Sequence, residues 1–263
     1  LELFFSGKLP NLDFSKIEQK PNQPTRAASA AVLGYLADNV ENKIVSSADL
    51  SNSDKTDGFL KKTHPIVNGD FSGRFLNAGV SELTMACIMN GIVLHGGMYA
   101  ACGTFFVFSD YMKPAYRMAA LMRLPVKYVW SHDAFRVGED GPTHQPIEQE
   151  MQVRLLEKIK NHAGKNSMLV LRPADVYETT EAWKMAMENT DTPTALILSR
   201  QNVNDLPGDR VAESKKAAKG AYIVKACEGT PDIVMVANGS EVSTLFDGAK
   251  LLEERKNLKI QIV

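Results

Sequence analysis

Six short apolar runs, at 44–48, 74–78, 98–102, 126–130, 168–171 and 194–198, alternate with stretches of helical character. No other feature limits the fold of this chain so strongly. Bounded by Gly, Pro and polar residues, such runs read as strands. Strands that alternate with helices form a parallel sheet, and a parallel sheet has to be covered on both faces. The expectation is an α/β fold over residues 25–203: a six-stranded parallel sheet flanked by helices, with right-handed crossovers.

Residues 1–24 show weak periodicity and carry the breakers Pro10, Pro21 and Pro24, so they read as a connecting segment. An Ala-rich helix opens at Thr25 and ends near Asn39, and a second helix over 82–95 ends at Gly96-Gly97. The stretch 105–122 reads as helical, with Pro114 expected to kink or restart it, and a further helix is expected over about 175–189. The segment from Ile147 reads only as polar. Composition changes after Arg200: 204–220 has the Pro, Gly and polar content of a linker. Residues 221–263 then start a second α/β domain, with a strand at 233–237, a helix from Glu241 to about Arg255 and a strand from Ile260. This second domain reads as cut off after its first βαβ portion. The first residue is Leu, so the whole reads as a piece of a longer protein.

The 263 residues carry a formal net charge of -1, which gives no basic footprint for nucleic acid or an anionic membrane surface. Cys87, Cys102 and Cys227 lack C-x-x-C spacing, so neither a zinc site nor a disulfide framework is expected, and reduced thiols fit the cytoplasm. No apolar run approaches the ~20 residues of a membrane span.

The stretch 131–146, S-H-D-A-F-R-V-G-E-D-G-P-T-H-Q-P, follows the fourth apolar run. It holds His132, His144, Asp133, Glu139, Asp140 and Arg136, with Pro142 and Pro146 restricting the backbone around His144. Loops at the carboxyl ends of parallel strands are where ligands bind. Glu82 comes at the start of a helix just after the second strand, where a carboxylate is either helix-dipole decoration or a group aimed at a ligand. Phe105, Phe108 and Tyr111 are either core or a platform for a flat heteroaromatic ring. Arg26 and Arg200 are either surface residues or, together, a phosphate clamp. Neither a G-x-x-x-x-G-K-[ST] nor a G-x-G-x-x-G cradle occurs.

G-E-D-G-P-T-H-Q-P (138–146), with G-V-S-E (79–82), N-G-I-V-L-H-G-G (90–97), R-M-A-A-L-M (117–122) and L-I-L-S-R-Q-N (196–202), resembles the transketolases. The resemblance runs in order from about Arg26 onward and covers the pyrimidine-binding middle domain and the start of the C-terminal domain. It implies thiamine diphosphate as cofactor and transfer of a two-carbon ketol unit from a ketose phosphate to an aldose phosphate, in a homodimer. Mg2+ and the diphosphate would be held by an N-terminal domain whose G-D-G motif does not occur in this sequence.

By the same resemblance, Glu82 hydrogen-bonds N1′ of the aminopyrimidine and exchanges a proton with it, a task that a partly buried carboxyl would suit. Phe108 stacks on the pyrimidine ring with Phe105 and Tyr111 beside it, and Asp49 lies close to the cofactor. His144 moves protons at the substrate and Asp140 accepts a hydrogen bond from a donor-substrate hydroxyl. Arg26, Ser53, His132 and Arg200 grip the sugar phosphate.

Two positions depart from the pattern. Ser81 stands where many members have Arg, which alters the neighbourhood of Glu82, and L-S-N-S-D follows Ala48-Asp49 where relatives often show L-A-P-S-N. Two other readings remain at this stage. One is a deoxyxylulose-phosphate synthase-like thiamine-diphosphate enzyme. The other is a non-catalytic dimerisation or binding domain, since half of the site belongs to residues outside this sequence.

Overall fold

The computed structural model describes residues 1–134 and 136–263. Its centre is a six-stranded, all-parallel sheet in the order β2-β1-β3-β4-β6-β5. The strands are β1 (Lys43–Ser47), β2 (Phe75–Asn77), β3 (Tyr99–Phe105), β4 (Lys127–Ser131), β5 (Leu169–Leu171) and β6 (Thr194–Leu198). Each lies within a residue or a few of its apolar run, because burial on both faces leaves little room for polar residues inside a strand.

Alternation along the strands sorts the core into two layers. Ile44, Ala100, Cys102, Tyr128, Trp130 and Ile197 point to one face, where they meet α2 (Glu82–His95) and α3 (Ser109–Met122). Val45, Ala101, Val129, Leu196 and Leu198 point to the other, against α1 (Thr25–Asn39) and the helix Val176–Glu188. The smaller unit follows as β7 (Ile233–Met235), a helix over Glu241–Lys256 and β8 (Ile260–Ile262), with β7 and β8 parallel.

Four details differ from the sequence reading. β3 runs on to Phe105, and a 3-10 turn at Phe106–Phe108 separates it from α3, so Phe105 and Tyr111 are not on one helix. α3 passes through Pro114 without a break. The polar segment after Ile147 contains α4 (Gln149–Lys158), which escaped notice because it buries little beyond Gln149 and Val153 while Met151 and Leu155 stay exposed. The next helix is then α5 (Val176–Glu188), capped by Asp175, whose carboxylate accepts from the Glu178 amide at 2.8 Å. Finally, the 204–220 stretch folds into a helical turn at Arg210–Glu213 and a 3-10 helix at Ser214–Lys219. Arg210 ties it down by donating to Asp175 at 2.6 Å and Glu178 at 3.3 Å. The second unit's helix is α6 (Glu241–Lys256).

Candidate active site

The strand order reverses between β1 and β3, since β2 lies to one side of β1 and β3 to the other. Crevices at such reversals, outside the carboxyl ends of the strands, are the usual ligand sites of open α/β sheets. Here that position falls to the end of β1, the short helix Ser51–Asp54, the start of α2 and the end of β3.

Glu82 is the first residue of α2 and only 8% exposed. Ser81 ahead of it does not cap the helix but donates its hydroxyl to the Ala78 carbonyl at 2.8 Å. The Thr104 hydroxyl on β3 donates to Glu82 Oε1 at 3.4 Å, a long contact that leaves the carboxylate weakly held.

Next to Thr104, Phe105 starts an aromatic shelf. Its ring stacks on Phe108 at 5.9 Å with an interplanar angle of 9°, and Phe108 continues to the exposed Tyr111 at 6.0 Å. His132 lies on Phe105 with centroids 3.6 Å apart, and His144 meets Phe108 edge-on at 5.3 Å. The loop after β4 thus returns both imidazoles to the end of β3. The left-handed backbone of His132 (φ 62) makes the turn, and register places Phe105 opposite Ser131. Each imidazole Nδ1 is engaged by the preceding hydroxyl, Ser131 at 3.0 Å and Thr143 at 2.8 Å.

The third group is cationic. Thr25 and Ser199 hydrogen-bond to one another, which sets Arg26 beside Arg200. Arg26 Nη1 donates to the Ser53 carbonyl at 2.5 Å, while its buried Nε has no hydrogen-bond partner among the described residues. Burial and the neighbouring Arg200 lower the Arg26 pKa. Arg200 approaches the backbone of Gly138 so closely that a Cβ there would lie 2.9 Å from Nη2, and its nearest acid is the exposed Glu139 at 3.9 Å. Burial, then Arg26, Arg200 and His144, push the His132 imidazole down to about 3, so it is neutral near pH 7. Two guanidiniums crowded together, with the exposed Glu139 beside one and the buried Asp54 near the other, are suited to an anion.

Of the residues singled out in the sequence, the fold brings both imidazoles to the shelf directly, whereas Glu82 is tied to β3 through Thr104, whose side chain alternates to the opposite face from Phe105. The fold joins Arg26 to Ser53 through the latter's backbone carbonyl. Asp49 (φ 62) and Asp140 occupy exposed loop positions at the ends of β1 and after β4. Asp54 was missed. It is fully buried and accepts from the Ser47 hydroxyl at 2.7 Å, the Thr56 amide at 2.8 Å and the Thr56 hydroxyl at 2.7 Å. Burial outweighs those donors and pushes its carboxyl up to about 6. Gly103, opposite Ser47 in register, makes room for it: a Cβ would lie 2.6 Å from Thr56 Cγ2 and 2.9 Å from Asp54 Oδ2. Among the described residues no group of three or more His, Cys, Asp or Glu could hold a metal ion.

Comparison with known proteins decides the family. Residues 22–205 match the model of the transketolase pyrimidine-binding domain, and residues 220–263 that of a transketolase-like C-terminal domain. The chain belongs to the transketolase family. Its relatives include the transketolase of Bacillus subtilis, 42% identical across 100% of this chain and 38% of the relative's length. Transketolase from Leishmania mexicana superposes with a TM-score of 0.88 at 35% identity, over 99% of this chain and 37% of that one. Pichia stipitis transketolase, solved with sedoheptulose-7-phosphate, superposes with a TM-score of 0.87 at 38% identity, over 99% of this chain and 38% of that one. The chain therefore spans little more than a third of the length of these transketolases.

Proposed function

We propose that this chain supplies the pyrimidine and sugar-phosphate half of a thiamine-diphosphate site, and that the protein carrying it transfers a two-carbon ketol unit from a ketose phosphate to an aldose phosphate. The observation behind this reading is the aromatic shelf that gathers two imidazoles, with a pair of arginines beside His132 and a buried carboxylate at the start of α2. An aminopyrimidine needs an acid for its ring nitrogen and an apolar face to lie on, and Glu82 with Phe105, Phe108 and Tyr111 provides both. When bound, thiamine diphosphate supplies the electron sink for breaking and making the carbon–carbon bond.

Glu82 then holds and exchanges a proton at the pyrimidine nitrogen, and Asp49 lines the rim on the β1 side. His144, edge-on to Phe108, carries protons at the substrate. Asp140 accepts from a substrate hydroxyl. Arg26 and Arg200 supply the charge that binds the phosphate, and Ser53 and the neutral His132 complete its hydrogen bonds. The Pichia stipitis protein bound to a sugar phosphate supports this substrate class.

Mg2+ and the diphosphate are assigned to residues outside this sequence, on a second subunit. A dimer is supported by the apolar surface that α2 and α3 leave exposed at Leu83, Ile88, Leu94, Met118, Leu121 and Met122. Among the described residues no helix is long and apolar enough to cross a membrane, and the unpaired cysteines support a cytoplasmic setting.

The test is to assay the full-length parent with xylulose 5-phosphate and ribose 5-phosphate, expecting ketol transfer. Formation of deoxyxylulose phosphate from pyruvate, without ketol transfer, would reject it. The isolated chain is expected to bind thiamine diphosphate and Mg2+ weakly in calorimetry, and tight stoichiometric binding would reject the half-site assignment.

A further inference from the structure

Arg172, the residue after β5, is 7% exposed and holds three acids from three parts of the molecule. Its Nε and Nη2 donate to Asp133 Oδ2 at 3.2 and 2.9 Å. Its Nη1 donates to Glu150 Oε2, in the first turn of α4, at 3.2 Å, and to Asn238 Oδ1 at 2.9 Å. Its Nη2 also pairs with the Glu241 carboxylate at the start of α6. The second unit approaches so closely that a Cβ on Gly239, itself left-handed (φ 59), would lie 2.6 Å from Arg172 Cγ.

Asp133 is the key partner. It directly follows His132, its side chain is 1% exposed, and the same Oδ2 accepts from the Ser240 hydroxyl at 2.8 Å. Its Oδ1 has no hydrogen-bond partner among the described residues, and every contact given for the carboxylate falls on Oδ2. One peptide away, His132 must keep a left-handed backbone, which a non-glycine residue adopts only when its surroundings enforce it. Next to it, the Asp133 carboxylate is held by Arg172 and by Ser240 of the second unit.

We infer that Arg172 and Ser240 are positioning residues: by clamping Asp133 they hold His132 on Phe105, so the anion-binding side of the candidate site depends on docking of the second α/β unit. The unit formed by β7, α6 and β8 is then a structural determinant of sugar-phosphate binding, although none of its residues reaches the clamp itself. The phosphate part of this inference rests on the proposed function. The loop geometry does not.

The experiment uses the 263-residue chain with single substitutions Ser240→Ala, Glu241→Gln, Arg172→Lys and Arg172→Gln. Ser240→Ala removes one donor to Asp133 and the contact to Glu241 at 3.0 Å but leaves both bonds from Arg172 to Asp133 in place, so the fold should survive, as a melting curve will show. Two readouts are taken on each folded variant: the ring carbon–proton NMR signal of His132, and the Kd for inorganic phosphate by calorimetry. Ser240→Ala and Glu241→Gln should shift and broaden the His132 signal while leaving that of the distant His64 in place, and weaken phosphate about three- to tenfold. Arg172→Gln should do so more severely, and Arg172→Lys should recover part of the loss by restoring a cation to Asp133. If Ser240→Ala and Glu241→Gln fold with the His132 signal unmoved, the inference is wrong. If the unsubstituted chain binds no phosphate, the anion site of the proposed function fails, and the His132 signal alone still decides the positioning role.

Discussion

Thr25 and Ser199 hold one another across the carboxyl edge of the sheet, and each is followed by an arginine. The Thr25 amide donates to Ser199 Oγ at 3.0 Å, and the Ser199 amide donates back to Thr25 Oγ1 at 2.7 Å. Both residues are buried, so these bonds fix the roots of Arg26 and Arg200 regardless of what the guanidiniums bind.

Replacing Ser199 with Ala strands the buried Thr25 amide. The cost should be about 1–3 kcal/mol of stability, the usual penalty for an unsatisfied buried donor. Phosphate affinity should fall several-fold with it, because Arg26 loses its anchor. Denaturant unfolding and phosphate calorimetry check the two effects, and an unchanged Kd would detach the clamp from this hydrogen-bond pair.

Asp54 makes stability depend on pH. Its folded pKa of about 6 lies above the ordinary 3.8, so the folded state holds the proton more tightly. Its contribution is therefore favourable below about 3.8 and is lost as pH rises towards 6. Asp54→Asn keeps an acceptor for both Thr56 donors and offers an amide to Ser47, without the buried charge. The variant should gain about 3 kcal/mol at pH 8 and little at pH 4, at 1.36 kcal/mol per pKa unit. Equal gains at both pH values would show that burial of charge is not the cause.

Gly103 is needed for space. Gly103→Ala puts a methyl 2.6 Å from Thr56 Cγ2, and overpacking of this kind costs about 1–3 kcal/mol. Thr56→Ser removes the obstructing methyl. The double variant should therefore be less unstable than the sum of the singles, and strict additivity in a double-mutant cycle would contradict the contact.

What the sequence could and could not show follows from the range of the forces involved. Strand and helix periodicity is local, so Thr194–Leu198, Glu82–His95 and Thr25–Asn39 are readable residue by residue. α4 was not, because its burial is too slight to leave an apolar stripe. The histidine loop stood out by composition, and Glu82 by its place at a helix start. Asp54 did not, because its meaning comes from Gly103 on another strand, and Arg172 did not, because its partners lie 39, 22 and 69 residues away. Thr25 and Ser199 are ordinary until the fold brings them together.

At the amino edge of the sheet, Lys43 is fully buried on β1 and makes no ion pair among the described residues. Its Nζ sits 3.8 Å from Met187 Sδ and 5.5 Å from the Trp183 ring centroid. Burial pushes its pKa down to about 7. A lowered folded pKa means stability is lost as pH falls from 10.5 towards 7. Lys43→Met should thus stabilise the chain by a few kcal/mol near pH 7.5 and by much less near pH 10. Thermal melts at the two pH values test it, and a destabilised variant at pH 7.5 would mean that packing of the stem outweighs the charge.

The assignment of Glu82 is tested best in the full-length parent by exchange of the cofactor's C2 proton for deuterium. Glu82→Gln preserves the size of the side chain and an oxygen for the Thr104 hydroxyl, so the fold should persist, but the amide cannot exchange a proton with a ring nitrogen. A positioned acid or base is worth about 10²–10⁴ in rate, so exchange should slow by at least ~10². Thr104→Val supplies the comparison. It removes only a 3.4 Å contact, so a much smaller effect is expected. If Thr104→Val slows exchange as much as Glu82→Gln, the carboxylate matters through its placement. Near-normal exchange in Glu82→Gln would take Glu82 out of the chemistry altogether.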